Sequence, residues 1–327
     1  MKKNMIFCMM CLALLTRIYP GVLTTFPDMA KPLELRMDGG YIYISDQSSV
    51  FVYDLNTFKL VKKLFNKGEG PGEFKTNLRI AFTSDSLISY DSYKIIVYSK
   101  DFKLVKEINL GYFTDRVNPI EDNFILTKSQ VIDEKECEVF ALYNRKLVKI
   151  KDLVIEPRDP RIGTFLLNSW PRCRSWNDKI FISQPHKGFY IEVFNKHGEK
   201  LYHIEKRVKK IKSEEKHRTM YMEEIRYFLG RSRFEKARAR GIYKKPLREY
   251  IPPIKNFWVL DNRIYVKTYE MTDTKEKYII MDEKGTIQKT LFLPKTYLEI
   301  LTFSKNKFYY LEESEEDECW ALHAVQL

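Results

Sequence analysis

The chain has 327 residues, a net charge of +12 and five cysteines. Only Cys137, Cys173 and Cys319 lie beyond the N-terminal region, and their wide spacing excludes a disulfide-stabilised scaffold and a cysteine-based metal motif. Beyond that region, no segment is apolar for long enough to cross a membrane.

The N-terminal segment has the pattern of a secretory leader. Lys2 and Lys3 precede an apolar run at 5–15, which is too short to span a bilayer but suits a leader. We therefore predict a signal peptide at 1–25 and a periplasmic or secreted protein. A buried strand or short helix is the alternative. Cys11 follows Cys8, Met9 and Met10 rather than small residues, so a lipid anchor is a less favoured possibility.

After the leader, a pattern of β-rich runs separated by short polar turns returns six times. The clearest copies are at 41–65 and 86–110, and weaker copies begin at 123, 179, 263 and 307. Each copy follows another apolar stretch, which supplies a fourth strand. Strand-only units of this length stack radially because no single unit buries its own apolar face. The sequence therefore predicts an all-β fold, a six-bladed β-propeller over 26–327.

The length of the repeat supports this prediction. Without the leader and one insertion, each unit has about 43 residues, within the usual range for a propeller blade. We expect residues 32–37 to form the inner strand of blade one and residues 319–325 to lie in the last blade. Ring closure then rests on packing between these blades or on a strand from the N-terminus.

A basic insertion interrupts the strand pattern between blades four and five, at about 209–250. Residues 206–250 contain 16 Lys or Arg and 6 Asp or Glu, so most of the net charge lies here. Met220, Ile225 and Leu229 recur at helical spacing, which predicts a helix with Ser213 as N-cap and Gly230 as its end. A second short helix is predicted at 234–240. We expect the apolar stripe to contact the propeller rim or one mouth of its channel.

The charge of the insertion has two readings. The charged residues either form a solvated helix face, or they bind an anionic surface, a polysaccharide or a partner. Four arginines would carry such binding: Arg231, Arg233, Arg238 and Arg240. A secreted location disfavours nucleic acid as the partner.

A glycine-rich loop at 66–74 (NKGEGPGEF) lies between two predicted strands. A phosphate-binding loop would open a helix, so the loop is predicted to be a turn between blades. We expect positive φ angles at Gly68, Gly70 and Gly72. Phe74 is predicted to fill the core between blades, and Glu73 to bond backbone groups.

The segments GEGPGEF (68–74) and YIPPIKNFWVLDNRIYVKTYE (250–270) resemble the bacterial six-bladed β-propeller family with NHL-like repeats. The resemblance extends from about residue 30 to the end of the chain. It implies the propeller fold and a secreted or lipid-anchored protein. It implies no particular chemistry, because many such proteins have no known activity.

The loops after the second strand of each blade should meet around one mouth of the channel. They carry polar residues that could bind a ligand: Asp46, Asp91, Ser129, Gln184, His186, Glu270 and Glu313. Loops on a rigid scaffold often carry recognition. Their carboxylates are equally explained as residues that cap turns.

These features favour a module that binds a protein, glycan or small-molecule ligand, without a cofactor and as a monomer. No nucleophile motif such as G-x-S-x-G is present. One alternative is a metal-dependent hydrolase of the lactonase type, with Ca²⁺ or Zn²⁺ held by oxygen ligands in the channel. Another is a structural component of the cell surface.

Overall fold

The computed structural model describes residues 21–47, 49–65, 68–74, 78–110, 116–158, 167, 170–241, 244–296, 299–314 and 319–327. Six four-stranded antiparallel sheets follow one another along the chain, with one strand of the last sheet taken from the N-terminal side. The first strands of successive sheets contact each other around a central channel. The predicted six-bladed propeller is confirmed.

The strand β1 (Gly21–Phe26) belongs to the last blade. From the channel outward, blade 1 contains β2 (Pro32–Asp38), β3 (Tyr41–Asp46), β4 (Ser49–Asp54) and β5 (Leu60–Leu64). Blade 2 contains β6 (Arg79–Phe82), β7 (Ser86–Tyr90), β8 (Lys94–Ser99) and β9 (Leu104–Asn109). Blade 3 contains β10 (Arg116–Ile120), β11 (Asn123–Ile132), β12 (Lys135–Asn144) and β13 (Lys149–Pro157).

Blade 4 contains β14 (Cys173–Trp176), β15 (Lys179–Ser183), β16 (Tyr190–Asn195) and β17 (Lys200–Glu205). The insertion follows, with β18 (Ile211–Lys212), α1 (Glu215–Leu229), α2 (Arg231–Ala239) and β19 (Tyr250–Ile251). Blade 5 contains β20 (Asn256–Leu260), β21 (Arg263–Met271), β22 (Lys275–Asp282) and β23 (Ile287–Pro294). Blade 6 contains β24 (Leu301–Ser304), β25 (Lys307–Ser314) and β26 (Cys319–Gln326), with β1 as its outer strand.

The second and third strands of each blade carry the apolar cores between blades. In β3 and β4, for example, Ile42, Ile44 and Val52 are fully buried. The outer strands combine lysines with exposed apolar residues, as in LVKKL of β5. These lysines protect the outer edges, since a flat apolar edge strand would invite pairing with another chain.

Ring closure uses the N-terminal strand. β1 pairs with β26, and Phe26 is 2% exposed against Trp320 of that strand. The predicted leader at 1–25 overlaps this strand, and a cleavage after residue 25 would remove most of it. A leader that leaves β1 in the last blade has to end before Gly21. Residues 1–20, which carry the rest of that prediction, lie outside the described residues.

The prediction for the glycine-rich loop between blades 1 and 2 is confirmed in part. Phe74 is buried in the core between blades 1 and 2, and the carboxylate of Glu73 accepts the backbone N–H of Gly70 at 3.0 Å. Of the three glycines, Gly72 has a positive φ (73°), whereas Gly68 and Gly70 do not. Those two glycines instead leave room for the Glu73 side chain, which a Cβ at either position would crowd.

The insertion contains two helices, with boundaries that differ from the prediction. Helix α1 is capped by Glu214 rather than Ser213, because Glu214 and His217 form a reciprocal capping box. The Ser213 hydroxyl instead donates to the Arg248 carbonyl. Gly230 ends α1 with a φ of 72°, as predicted. Helix α2 begins at Arg231, three residues earlier than predicted.

Helix α1 crosses one mouth of the channel. At its start, His217 Nε2 lies 3.2 Å from the Tyr269 carbonyl of blade 5. Near its end, the Tyr227 hydroxyl donates to the Pro32 carbonyl of blade 1, and its ring lies 6.0 Å from that of Trp320 in blade 6. We call this end of the channel, where the inner strands begin, the α1 mouth. Over the described ranges, neither helix has the length and apolar character needed to span a bilayer.

Candidate functional site

The loop residues predicted from sequence lie around the α1 mouth and make local contacts. Asp46 accepts the backbone N–H groups of Ala30 and Lys31 at 2.7 and 2.9 Å. Asp91 accepts those of Tyr93 and Lys94 at 2.8 and 2.9 Å. Both carboxylates therefore hold the chain where it turns. This agrees with the alternative interpretation of these residues as turn caps.

The other predicted residues have partners within or next to their own blades. Gln184 donates to Glu192, and Glu270 accepts from Lys277 at 2.8 Å. His186 is half-exposed, with Nδ1 at 2.5 Å from the buried Glu156. Burial raises the pKa of Glu156, and the contact with His186 opposes that rise.

A different set of charged residues meets one strand further inward. The inner strands carry Arg36 on β2, Arg79 on β6, Arg116 on β10 and Arg174 on β14. Arg172 precedes β14. Two carboxylates complete the set, Glu34 on β2 and Glu299 just before β24. We call these seven residues the arginine cluster.

Glu299 is the centre of the cluster. Its carboxylate lies 2.7 Å from Arg79, 3.0 Å from Arg116 and 3.3 Å from Arg174. Burial alone would raise the pKa of Glu299, but Arg116, Arg79 and Arg174 hold it well below the usual range. Glu299 is therefore ionised and joins arginines from three blades.

The second carboxylate is engaged separately. Glu34 lies 2.5 Å from Arg36 and also accepts the backbone N–H of Ile80 at 2.8 Å. Two carboxylates thus face five guanidinium groups, which leaves an excess of positive charge around the buried side chains of Glu34, Arg174 and Glu299. A buried excess of one sign is costly unless a counter-charge is present.

Arg172 contributes one donor atom of the cluster that lacks a partner among the described residues. Its Nε atom is buried and makes no hydrogen bond within the described chain. Burial lowers the pKa of Arg172, and the positive charge of Arg116 lowers it further. A guanidinium in these surroundings favours an added anion, because an anion supplies both an acceptor and a counter-charge.

A cavity of about 290 Å³ opens beside these arginines. It is lined by Arg79, Thr127, Glu138 and Trp170, and also by Arg116, Arg158, Pro171 and Arg172. The guanidinium of Arg158 lies 5.1 Å from the centre of the Trp170 ring and pairs with Glu138. The cavity lies over blades 2 to 4, whereas α1 covers blades 5, 6 and 1.

A second buried ionic group fixes α1 to the propeller. Lys255 Nζ lies 2.5 Å from Glu224 of α1 and 2.7 Å from Glu276 of β22. Glu276 also pairs with Lys267 at 2.5 Å. Burial opposes ionisation of Glu276, but Lys255 and Lys267 lower its pKa to about 2. Here two lysines face two carboxylates, so the charges balance.

The balanced group borders a cavity of about 310 Å³ between α1 and blades 5 and 6. Glu313, one of the predicted loop residues, lines this cavity together with Glu223 and Glu312. Within the ranges that the structure describes, no three His, Cys, Asp or Glu residues are grouped so as to hold a metal ion.

The sequence contained a signal for the arginine cluster. An arginine recurs in the first strands of blades 1 to 4, in ELRM (34–37), RIAF (79–82), RVNPI (116–120) and CRSW (173–176). The ligand-binding residues were predicted instead in the loops after the second strands. Because the first strands line the channel, their polar residues converge, whereas residues one strand outward are spread around a wider ring.

Comparisons with known proteins identify no family for this chain. No protein-family model matches the sequence, and no curated protein matches it. One similar structure is BamB from Moraxella catarrhalis, with 13% identity and a TM-score of 0.32 over 88% of this chain and 71% of that one. Another is the AfRom2 CNH domain, with 9% identity and a TM-score of 0.42 over 92% and 82% of the two chains.

A third similar structure is BBS1N in complex with ARL6DN, with 8% identity and a TM-score of 0.41. That match covers 87% of this chain and 75% of the other. At these values the likeness carries no argument about function.

Proposed function

We propose that this protein is a binding module whose α1 mouth holds a small anionic ligand with a carboxylate or phosphate group. The observation that carries the proposal is the unbalanced arginine cluster, five guanidinium groups against two carboxylates. Arginine suits this task because its planar fork donates two parallel hydrogen bonds to such oxyanions.

The cluster is organised before any ligand arrives. Glu299 holds Arg79, Arg116 and Arg174 in place, so an anion meets side chains that need little reordering. Preorganisation of this kind favours binding because less conformational entropy is lost. Arg172 has a free donor atom beside the cavity and is the residue we expect to bind the ligand directly.

The positive charge of the arginine cluster also favours anion binding over a metal-dependent hydrolase. A divalent cation requires several convergent oxygen ligands, and nearby arginines would repel it. We therefore place the lactonase-like hydrolase with Ca²⁺ or Zn²⁺ behind the anion-binding function. The secreted or periplasmic location and the kinship with NHL-like propellers remain part of the proposal. They are supported by the N-terminal apolar run and by the segments at 68–74 and 250–270.

Isothermal calorimetry with inorganic phosphate and with acetate tests the proposal. We expect saturable binding to the wild-type protein at constant ionic strength. Arg172→Met should lower the affinity at least tenfold, because a hydrogen bond to a charged group contributes about 1.5–3 kcal/mol. The control is Arg145→Met, since Arg145 is exposed and pairs with Asp122 away from the channel. Equal losses in both variants, or binding of calcium instead of the anions, would refute the proposal.

A further inference from the structure

The junction between α1 and α2 exposes two neighbouring apolar side chains. Phe228 is 37% exposed and Leu229 is 38% exposed, at the last two positions of α1. Gly230 then turns the chain directly into α2. The side of α1 that contacts the propeller uses other residues, such as Met220 and Tyr227. More than a third of each side chain of the apolar pair is open to solvent.

Basic side chains surround this apolar pair. Lys31, from the segment between β1 and β2, donates its Nζ to the Phe228 carbonyl at 3.0 Å. Burial lowers the pKa of Lys31, and the nearby charge of Arg233 contributes in the same direction. Arg226 on α1 is exposed as well. Positive groups from both helices and from the segment between β1 and β2 therefore lie near the exposed Phe228 and Leu229 side chains.

The charge excess continues along α2. Arg233, Arg238 and Arg240 are exposed, and the backbone of Arg231 lies at the start of the same helix. Glu235 lies 3.8 Å from Arg238, at the limit of an ion pair. The residues 206–250 as a whole contain 16 Lys or Arg against 6 Asp or Glu. This surface is therefore strongly basic as well as partly apolar.

We propose that residues 226–240, here called the basic elbow, dock the protein on an anionic membrane surface. Phe228 and Leu229 enter the boundary between headgroups and acyl chains, while the arginines contact anionic headgroups. Amphipathic segments with basic residues beside large apolar ones bind membranes in this way, through apolar burial and electrostatic attraction together. The elbow differs from the anion-binding cavity, so this inference does not depend on the proposed function.

The apolar pair favours a membrane over a soluble polyanion. A polysaccharide neutralises arginines but offers no apolar phase, so it gives no reason for two adjacent exposed apolar residues at this position. Docking through the elbow would also turn the α1 mouth towards the membrane, because α1 crosses that mouth.

Sedimentation with vesicles tests the proposal. We expect the full chain to bind vesicles that contain phosphatidylglycerol and phosphatidylcholine, but not vesicles of phosphatidylcholine alone. Binding should weaken as salt is added. The triple variant R233E, R238E and R240E should lower the partition coefficient at least about 100-fold, since each basic residue near an anionic surface contributes about 1 kcal/mol. Its control is K59E, K62E and K289E, which makes the same charge change at exposed residues on or next to the outer strands.

The apolar contribution is tested with the charges intact. F228S with L229S should weaken vesicle binding about tenfold or more, because burial of a large apolar side chain contributes roughly 1.5–3 kcal/mol. The matched control is L104S with V105S, two exposed apolar neighbours on β9. Near-ultraviolet circular dichroism confirms that each variant is folded.

Three outcomes would overturn the inference. The first is vesicle binding by the F228S and L229S variant that equals the wild type. The second is an equal loss in the control variants, which would make the effect nonspecific. The third is salt-sensitive retention on heparin together with no binding to anionic vesicles, which would identify a soluble polyanion as the partner.

Discussion

Glu299 is the residue on which the arrangement of the channel depends. It is 5% exposed and pairs with arginines that come from three different blades. Without its charge, the cluster would keep five guanidinium groups and a single carboxylate, Glu34. Glu299 therefore both organises the arginine cluster and supplies the counter-charge that makes its partial burial tolerable.

Glu299→Gln should lower the free energy of unfolding by about 3–5 kcal/mol, the usual cost of breaking a buried ion pair from one side. Urea denaturation measures this change, with Glu205→Gln as the control because Glu205 is exposed. A loss below about 1 kcal/mol would show that solvent or bound ions already neutralise the arginines.

The depressed pKa values predict how stability depends on acid. The pKa of Glu276 is about 2, below its ordinary value, and that of Glu299 is also well below the usual range. A carboxyl with a lowered pKa stabilises the folded state above its unfolded pKa, and this contribution is lost as the pH falls towards the folded value. For Glu276 this contribution to the free energy of unfolding is on the order of 3 kcal/mol.

We therefore expect stability to fall between about pH 4.5 and pH 2, measured by urea denaturation across this range. The Glu276→Gln variant should be less stable at neutral pH and show a smaller loss in acid than the wild type. Identical acid dependence in the two proteins would contradict the assignment of this effect to Glu276.

At the scale of elements, α1 is a fixed part of the propeller. Its Glu224 pairs with the buried Lys255, which precedes the inner strand of blade 5. From the sequence alone, the insertion looks separable because it contributes no blade strand. The structure shows instead that removing it would leave Lys255 and Lys267 with Glu276 as their remaining carboxylate partner.

Glu224→Gln should cost about 2–3 kcal/mol of unfolding free energy, less than a complete loss of partners because Lys255 keeps Glu276. The neighbouring Glu223 is exposed, so Glu223→Gln is a closely matched control and should change stability by under about 0.5 kcal/mol. Deletion of residues 213–248 should destabilise the propeller at least as much as Glu224→Gln. A deletion variant as stable as the wild type would contradict this view of α1.

The elements also show what the sequence can and cannot predict. Alternating strands, polar turns and a fixed repeat length give the six blades because these are local properties. Gly230 is predicted correctly as the end of α1, since glycine tolerates its positive φ. The cap at Glu214 is not predicted from the sequence. It depends on His217, whose ring is held by the Tyr269 carbonyl of blade 5. The arginine cluster depends on contacts between residues up to 220 positions apart, such as Arg79 with Glu299.

For the whole molecule, closure of the ring depends on β1. Deletion of residues 1–26 would remove the outer strand of blade 6, expose the edge of β26 and uncover the core that holds Phe26. We expect a lower melting temperature and concentration-dependent association, because an open strand edge pairs with other chains. Differential scanning calorimetry and light scattering measure both effects. An unchanged melting temperature would mean that blade packing alone closes the ring.

The central claim for the whole molecule is that the propeller holds an anion at the α1 mouth. Crystals soaked with selenate test it directly, since selenium scatters anomalously and mimics an oxyanion. We predict an anomalous peak for a selenate whose oxygens lie within hydrogen-bond distance of the Arg172 guanidinium, and no such peak in crystals of Arg172→Met. Peaks confined to surface lysines, with none beside Arg172 in well-ordered wild-type crystals, would contradict the account.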